Sequence, residues 1–195
     1  YVADVLQCDS GAVLPFSTGV IGETLPMTVI DAGVRQLAGA LDEANWLDAA
    51  HGIMTTDTLP KAVSRTLNIN AETITISGIS KGSGMIRPDM ATMLAFIATD
   101  ANIEHSLLQK CLGDAVDISF NAITVDGDTS TNDACVLLAT GRSKAGQIID
   151  GNSLAAFKAA LEDVCRQLAQ AIVRDGEGAT KFVTIDVRGA NDDQE

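Results

Sequence analysis

A threonine, a lysine and a glycine-broken loop come together in the stretch Lys81 to Ala101, KGSGMIRPDMATMLAFIATDA. The polar segment Lys81-Gly82-Ser83-Gly84 and the tripeptide Arg87-Pro88-Asp89 give way at Thr92 to the apolar run Met93 to Ala98. An apolar run of that length bounded by turn residues reads as a buried strand. A junction between a loop and a buried strand can hold one hydroxyl steadily against a cleft, so Thr92 is the first candidate for a nucleophile that attacks a carbonyl carbon. The same pattern also describes a plain surface loop feeding a core strand.

Three further places offer groups that could serve such a reaction. In PFSTGVIGETLP, Thr18-Gly19 sets a hydroxyl beside a backbone N–H that no side chain shields. Two such donors converging on one point form an oxyanion hole, although an ordinary turn has the same composition. In GIMTTDTLPK, hydroxyls cluster next to a proline, as at a turn or strand end, and Thr58 is among them. Glu177 stands between two glycines, a setting in which a glutamate is as a rule a solvated turn residue.

Other chemistries are excluded by spacing. Lys81 precedes Gly-Ser-Gly, but the glycine, four residues, glycine, lysine order of a phosphate loop is absent. Asp126, Asp128, Ser130 and Asn132 imitate the early ligands of a calcium loop, yet Thr131 occupies the glycine position and Leu137 that of the bidentate glutamate. His51 and His105 are far apart and lack the partners of a triad or metal site. Cys8, Cys111, Cys135 and Cys165 form no close pair, fit neither a zinc ribbon nor a redox motif, and read as reduced, mostly core residues of a cytoplasm-like compartment. The chain has 195 residues, 46% apolar and 20% charged, with a net charge of −13 and no basic run. That balance argues against nucleic-acid or anionic-membrane partners, and no membrane span or secretory leader is visible.

The elements that must position these groups follow from periodicity. Tyr1 to Gly11 reads as a short strand, Met27 to about Leu41 as a helix, and Asp42 to Ala50 as a second helical piece carrying Trp46. Val63 to Leu67 and Glu72 to Ile79 predict a hairpin turning at 68–70, which delivers the chain to Lys81. Leu107 to Val116 is an amphipathic helix, Asp126-Gly127-Asp128 a hairpin turn, and Ala134 to Thr140 a buried strand. A long helix from Leu154 to Arg174, capped by Asn152 or Ser153 and stopped by Gly176, precedes a last strand at Phe182 to Val187.

The string Gly82-Ser83-Gly84-Met85-Ile86, then Pro88, then Met90 through Ala101 resembles the self-cleavage segment of the ornithine acetyltransferase family, the bifunctional glutamate N-acetyltransferases of arginine biosynthesis. Asp89 stands where many relatives are expected to have asparagine. STGVIGETLP is similar to the family's oxyanion segment, MTTDTLPK to its MTTDT-x-PK segment and VRDGEGATKFV to its substrate-binding glutamate segment. The motifs follow in family order over almost the whole chain.

This resemblance implies an α/β fold of mixed sheets packed with helices, the self-processing N-terminal-nucleophile fold. It implies cleavage of the Ala91-Thr92 bond by Thr92, with 1–91 the end of an α chain and 92–195 the start of a β chain, and a C-terminal portion of the family chain absent here. Thr18 and Gly19 would form the oxyanion hole; Thr58, Lys81, Thr92 and Glu177 would bind substrate, Lys81 pairing with an α-carboxylate and Glu177 with the amine of ornithine. The reaction would move acetyl from N²-acetylornithine to glutamate through an acetyl-threonine, with acetyl-CoA a further donor in some members and no metal or cofactor. An α2β2 assembly in the cytoplasm, or the mitochondrial matrix of a fungus, would follow. The rival reading is a self-processing aminopeptidase or amidohydrolase with water as acceptor; a third is an unprocessed structural or regulatory relative.

Overall fold

In the computed structural model, which describes residues 1–87, 93–130 and 132–189, the hairpin opens the main sheet. Strands β1 (Lys61–Ile69) and β2 (Glu72–Lys81) pair antiparallel from Lys61 opposite Ser80 to Ile69 opposite Glu72. The turn falls later than 68–70, on Asn70 and Ala71, whose φ values are 53° and 65°. Two positive φ angles give a turn whose twist matches that of the flanking strands. Asn70 suits it and also donates from Nδ2 to the Ala145 carbonyl at 2.7 Å.

Strand β3 (Leu94–Thr99) joins β2 antiparallel, with Leu94 opposite Lys81. A two-residue strand, β4 (Asn102–Ile103), follows, and then helix α4 (His105–Asp117), which carries the chain across so that β5 (Ala134–Ala139) pairs parallel with β3. The sheet order is therefore β1-β2-β3-β5; β4 pairs separately with β6 (Gln147–Ile148). Helix α5 (Gly151–Arg174) lies across β1 and β2 and packs against α4. The apolar stripe Phe157, Leu161, Val164, Cys165, Leu168 and Ile172 is fully buried there with Ile74, Ile76 and Ile97. Gly78 lets the helix approach: a Cβ on it would stand 3.0 Å from Leu168 Cδ1 and 3.2 Å from Ile97 Cγ1. The α/β class with mixed sheet pairing and packed helices is as expected. No described helix is long and apolar enough to cross a membrane.

This topology gathers distant residues at one end of the sheet. β2 runs antiparallel to β1 and β3, and β5 runs parallel to β3, so the start of β1 (Lys61), the end of β2 (Ser80, Lys81) and the starts of β3 and β5 are neighbours. The C-terminus of α5 reaches the same end, where Asp175 meets Lys61.

Several local expectations are corrected. Residues 1–11 hold helix α1 (Val2–Leu6) and a 3₁₀ turn beginning at Ser10, since a short apolar run does not distinguish strand from helix by period. Helices α2 (Met27–Ala38) and α3 (Trp46–Gly52) stand close to where they were expected. Asp126 starts no hairpin; its carboxylate accepts the N–H groups of Met85 at 2.5 Å and Ile86 at 3.0 Å and so pins the loop after β2. Helix α5 begins at Gly151 after Asp150, ahead of Asn152 and Ser153. Residues 182–187 form no strand, and Phe182 lies under the Arg174 guanidinium at 4.1 Å. Cys111 and Cys165 are buried, Cys135 is half-buried and Cys8 exposed, all as free thiols; burial pushes the Cys165 thiol up to about 12.

Ala71 carries a Cβ in the left-handed region, where glycine has no penalty. Ala71→Gly is expected to raise stability by about 1 kcal/mol, read as a higher midpoint of chemical denaturation with an unchanged slope.

Candidate active site

The Lys61 ammonium is buried at the gathered end of the sheet. It is 2% exposed and donates at 2.6 Å to Asp57 Oδ1 and at 2.6 Å to Asp175 Oδ2. Each carboxylate is further engaged. Asp57 accepts Gly82 N at 2.7 Å and Thr55 N at 3.2 Å. Asp175 accepts Thr58 N at 2.9 Å and the Thr58 hydroxyl. Burial pushes both acids up, and these hydrogen bonds together with the lysine more than reverse it, so both are held below the ordinary aspartate value.

This clamp brings two of the expected substrate-binding residues into one depression. Thr58 and Glu177 line it together with Thr56, Arg174, Asp175 and Gly176. Glu177 is fixed through its backbone, which donates to the Ser83 carbonyl at 2.6 Å, and its carboxylate lies over Gly84, where a Cβ would come within 3.0 Å of Oε2. The buried Ser83 hydroxyl shares a 2.6 Å hydrogen bond with Thr56. Because the Thr58 hydroxyl gives its proton to Asp175, its oxygen is left as an acceptor. An acceptor hydroxyl and a carboxylate side by side suit an ammonium group.

Lys81, the third expected binding residue, is 2% exposed at the end of β2. Burial lowers its basicity and the charges of Asp57 and Asp133 resist that change. It therefore stands between the clamp and a second cluster at the starts of β3 and β5. There Asp133 Oδ1 accepts Met93 N at 3.2 Å, and Ala134 N donates to the Met93 carbonyl at 3.1 Å. Next to Asp133, Asn132 Nδ2 donates to the Ser17 carbonyl at 3.0 Å. That bond ties the loop carrying Thr18 and Gly19 to the sheet, and Thr18, Gly19 and Asn132 line a depression of their own. The loop is also anchored by Phe16, whose ring meets that of Phe96 edge-on with centroids 5.2 Å apart.

Thr92, Ala91 and the segment 88–92 lie outside the described residues. The sequence residues that share a depression are thus Thr58 with Glu177, and Thr18 with its neighbour Gly19, while Lys81 lines neither and feels the charges of Asp57 and Asp133. Sequence reasoning missed Asp57, Lys61, Asp175 and Asp133. The first three sit inside quoted motifs, where their charge could have marked them; Asp133 is a carboxylate directly ahead of an apolar strand.

Removing one partner of a buried ion pair typically costs about 3–5 kcal/mol, so Lys61→Met, which leaves two carboxylates facing each other, is expected to lower the unfolding free energy by that order at neutral pH. The folded-state values of Asp57 and Asp175 lie below the unfolded value of 3.8, so their contribution is complete above that pH and disappears as pH falls through the folded values. Denaturation curves of both proteins at a series of pH values should show the gap narrowing below pH 3.8.

Comparison with known proteins gives the family. The chain is 54% identical over 196 residues to the arginine biosynthesis bifunctional protein ArgJ of Pseudomonas syringae pv. tomato, covering 100% of this chain and 48% of that one. It is 53% identical to the protein of the same name from Pseudomonas fluorescens, with the same coverage. Among solved structures it is similar to ArgJ from Bacillus halodurans, at 48% identity over 42% of this chain and 39% of that one, with a TM-score of 0.41. The chain spans about half the length of the curated relatives it matches. The ArgJ family model matches residues 1–195, and the chain belongs to the ArgJ family.

Proposed function

We propose that the full-length protein containing this chain is a self-cleaving acetyltransferase of arginine biosynthesis, which moves acetyl from N²-acetylornithine to glutamate through an acetyl ester on Thr92. The observation that carries this reading is the convergence at one sheet end of Lys81, the Thr58–Glu177 depression, and Met93, the residue bonded to Thr92, with the Thr18–Gly19 loop tied to the same strand ends through Asn132.

In the proposed cycle Thr92 Oγ first attacks the carbonyl of Ala91, and hydrolysis of the resulting ester frees the Thr92 amine. An α-amino group titrates near 7.7–8.0, so a useful fraction is neutral at cellular pH and can accept the proton of its own hydroxyl. The hydroxyl then takes acetyl from acetylornithine while the Thr18 hydroxyl and the Gly19 N–H stabilise the oxyanion. Loss of one such donor typically slows the reaction about 10²- to 10³-fold. Lys81 pairs with the substrate α-carboxylate, and Thr58 and Glu177 receive the side-chain ammonium. Glutamate then accepts the acetyl group. The cut chains assemble as an α2β2 heterotetramer in the cytoplasm.

Purified full-length protein incubated with N²-acetylornithine should release ornithine rapidly only when glutamate is present, with stoichiometric N-acetylglutamate. Equal release without glutamate would make water the acceptor and end this reading. Thr92→Ala should run as one uncut chain on a denaturing gel and transfer no acetyl. Glu177→Ala should raise KM for acetylornithine about ten- to hundredfold, the worth of a hydrogen bond to a charged group, while the chain is still cut; equal damage to cutting and binding would contradict the role given to Glu177.

A further inference from the structure

The freed amine of Thr92 cannot assist the first cut, because until that cut is made its nitrogen is part of an amide. A different group must take the hydroxyl proton at that stage. The carboxylates at this end of the sheet differ in what they have left to offer. Asp57 and Asp175 are engaged at both oxygens by Lys61, Thr58 and backbone N–H groups. Asp126 is engaged at both by Met85, Ile86 and Asp128. Glu177 lies exposed over Gly84 in the other depression. Asp133 is different. Its Oδ1 accepts Met93 N at 3.2 Å, and its Oδ2 is buried with no hydrogen-bond partner among the described residues.

Buried polar atoms without a partner are uncommon and call for an explanation. Those found among described side chains belong to Ser80, Asn132 and Asp133, at the ends of β2 and the start of β5, the same end of the sheet. Of the three, Asp133 alone carries an ionisable group that can take up and return a proton.

Resting on the reading that Thr92 cuts the bond before it, we propose that Asp133 is the proton carrier of self-cleavage, taking the proton of Thr92 Oγ as the oxygen attacks the Ala91 carbonyl carbon. The O–C bond forms, the C–N bond between 91 and 92 breaks, and Asp133 returns the proton to the departing nitrogen. Nothing is oxidised or reduced and Asp133 ends as it began; water then hydrolyses the ester. Burial pushes the Asp133 carboxyl above its ordinary value, against the pull of the Met93 N–H and Lys81, which suits a group that must both take and return a proton. Lys81 supplies a compensating charge that keeps the carboxylate form available.

The test follows cutting of freshly synthesised full-length chains on denaturing gels for the wild type, Asp133→Asn and Asp133→Glu, with thermal melts to establish folding. Asparagine keeps an oxygen for the Met93 N–H, so a purely positional role survives the exchange while the base is lost. Asp133→Asn is expected to be folded and to cut about 10²- to 10⁴-fold more slowly. Hydroxylamine, which splits an ester already formed, should not restore it. Cutting at the wild-type rate, or its restoration by hydroxylamine, would overturn the proposal. If Asp133→Asn does not fold, Asp133→Glu decides: reduced but measurable cutting supports the role, and a folded chain that stays whole or cuts at the wild-type rate overturns it. A wild-type chain that never cuts would instead overturn the underlying reading.

Discussion

One buried ammonium ties together segments that are far apart in the chain. Lys61 bridges Asp57 and Asp175 at 2.6 Å each, and these acids in turn hold Gly82 N after β2 and the backbone and hydroxyl of Thr58. Burying such a pair is costly unless every remaining donor and acceptor is matched. Here the Asp57 and Asp175 oxygens are matched, and the third ammonium direction points to the Leu59 carbonyl at 3.3 Å. Its value lies in geometry more than in net stability: the MTTDT loop, the glycine turn and the exit of α5 cannot move independently while the cation is in place.

The clamp functions only because the sheet presents the right residues to it. Lys61 faces the α5 side with Ser80 opposite, while Lys81 turns to the other face beside Leu94. A one-residue slip of β2 would exchange Ser80 and Lys81 between faces. What prevents the slip is packing: Gly78 under Leu168 leaves room for no Cβ in that position, and Ile74 and Ile76 fill the space below the helix. The Arg65–Asp163 pair at 2.5 Å adds a polar tie between β1 and α5. Core packing thus decides on which side of the sheet the site lysine stands.

The parts legible in the sequence are those with strong periodicity. The hairpin, the β3 and β5 strands and helices α2, α4 and α5 follow directly from apolar spacing. Tyr1 to Gly11 and 182–187 do not, because short apolar segments take their form from what they pack against: Ala3 alone is buried in α1, and Val183, Ile185 and Val187 remain exposed. The Asp126-Gly127-Asp128 turn misled because an aspartate that serves a distant loop carries the same local signature as one that starts a hairpin. Thr58 and Glu177 were recognisable by motif, but their meeting was not, since it depends on an ion pair between positions 61 and 175. Asp133 left no motif at all; what sets it apart is a buried Oδ2 with no partner among the described residues, which only a folded chain can display.

The proposed chemistry asks the same sheet end to serve two successive bases, and this constrains the charges around it. Before the cut a carboxylate must accept a proton; afterwards an amine must, and a nearby carboxylate favours the protonated, inactive form of that amine. Charges inside a protein interact far more strongly than in bulk water, so in the proposed cycle the carboxylate that serves the first step would hold the amine protonated unless another charge offsets it. Lys81, buried and under the influence of Asp133, is the offset available. A lysine in that position lowers the field of the carboxylate without removing its oxygen. One residue can therefore help the first base and spare the second, and its burial keeps water from screening the effect.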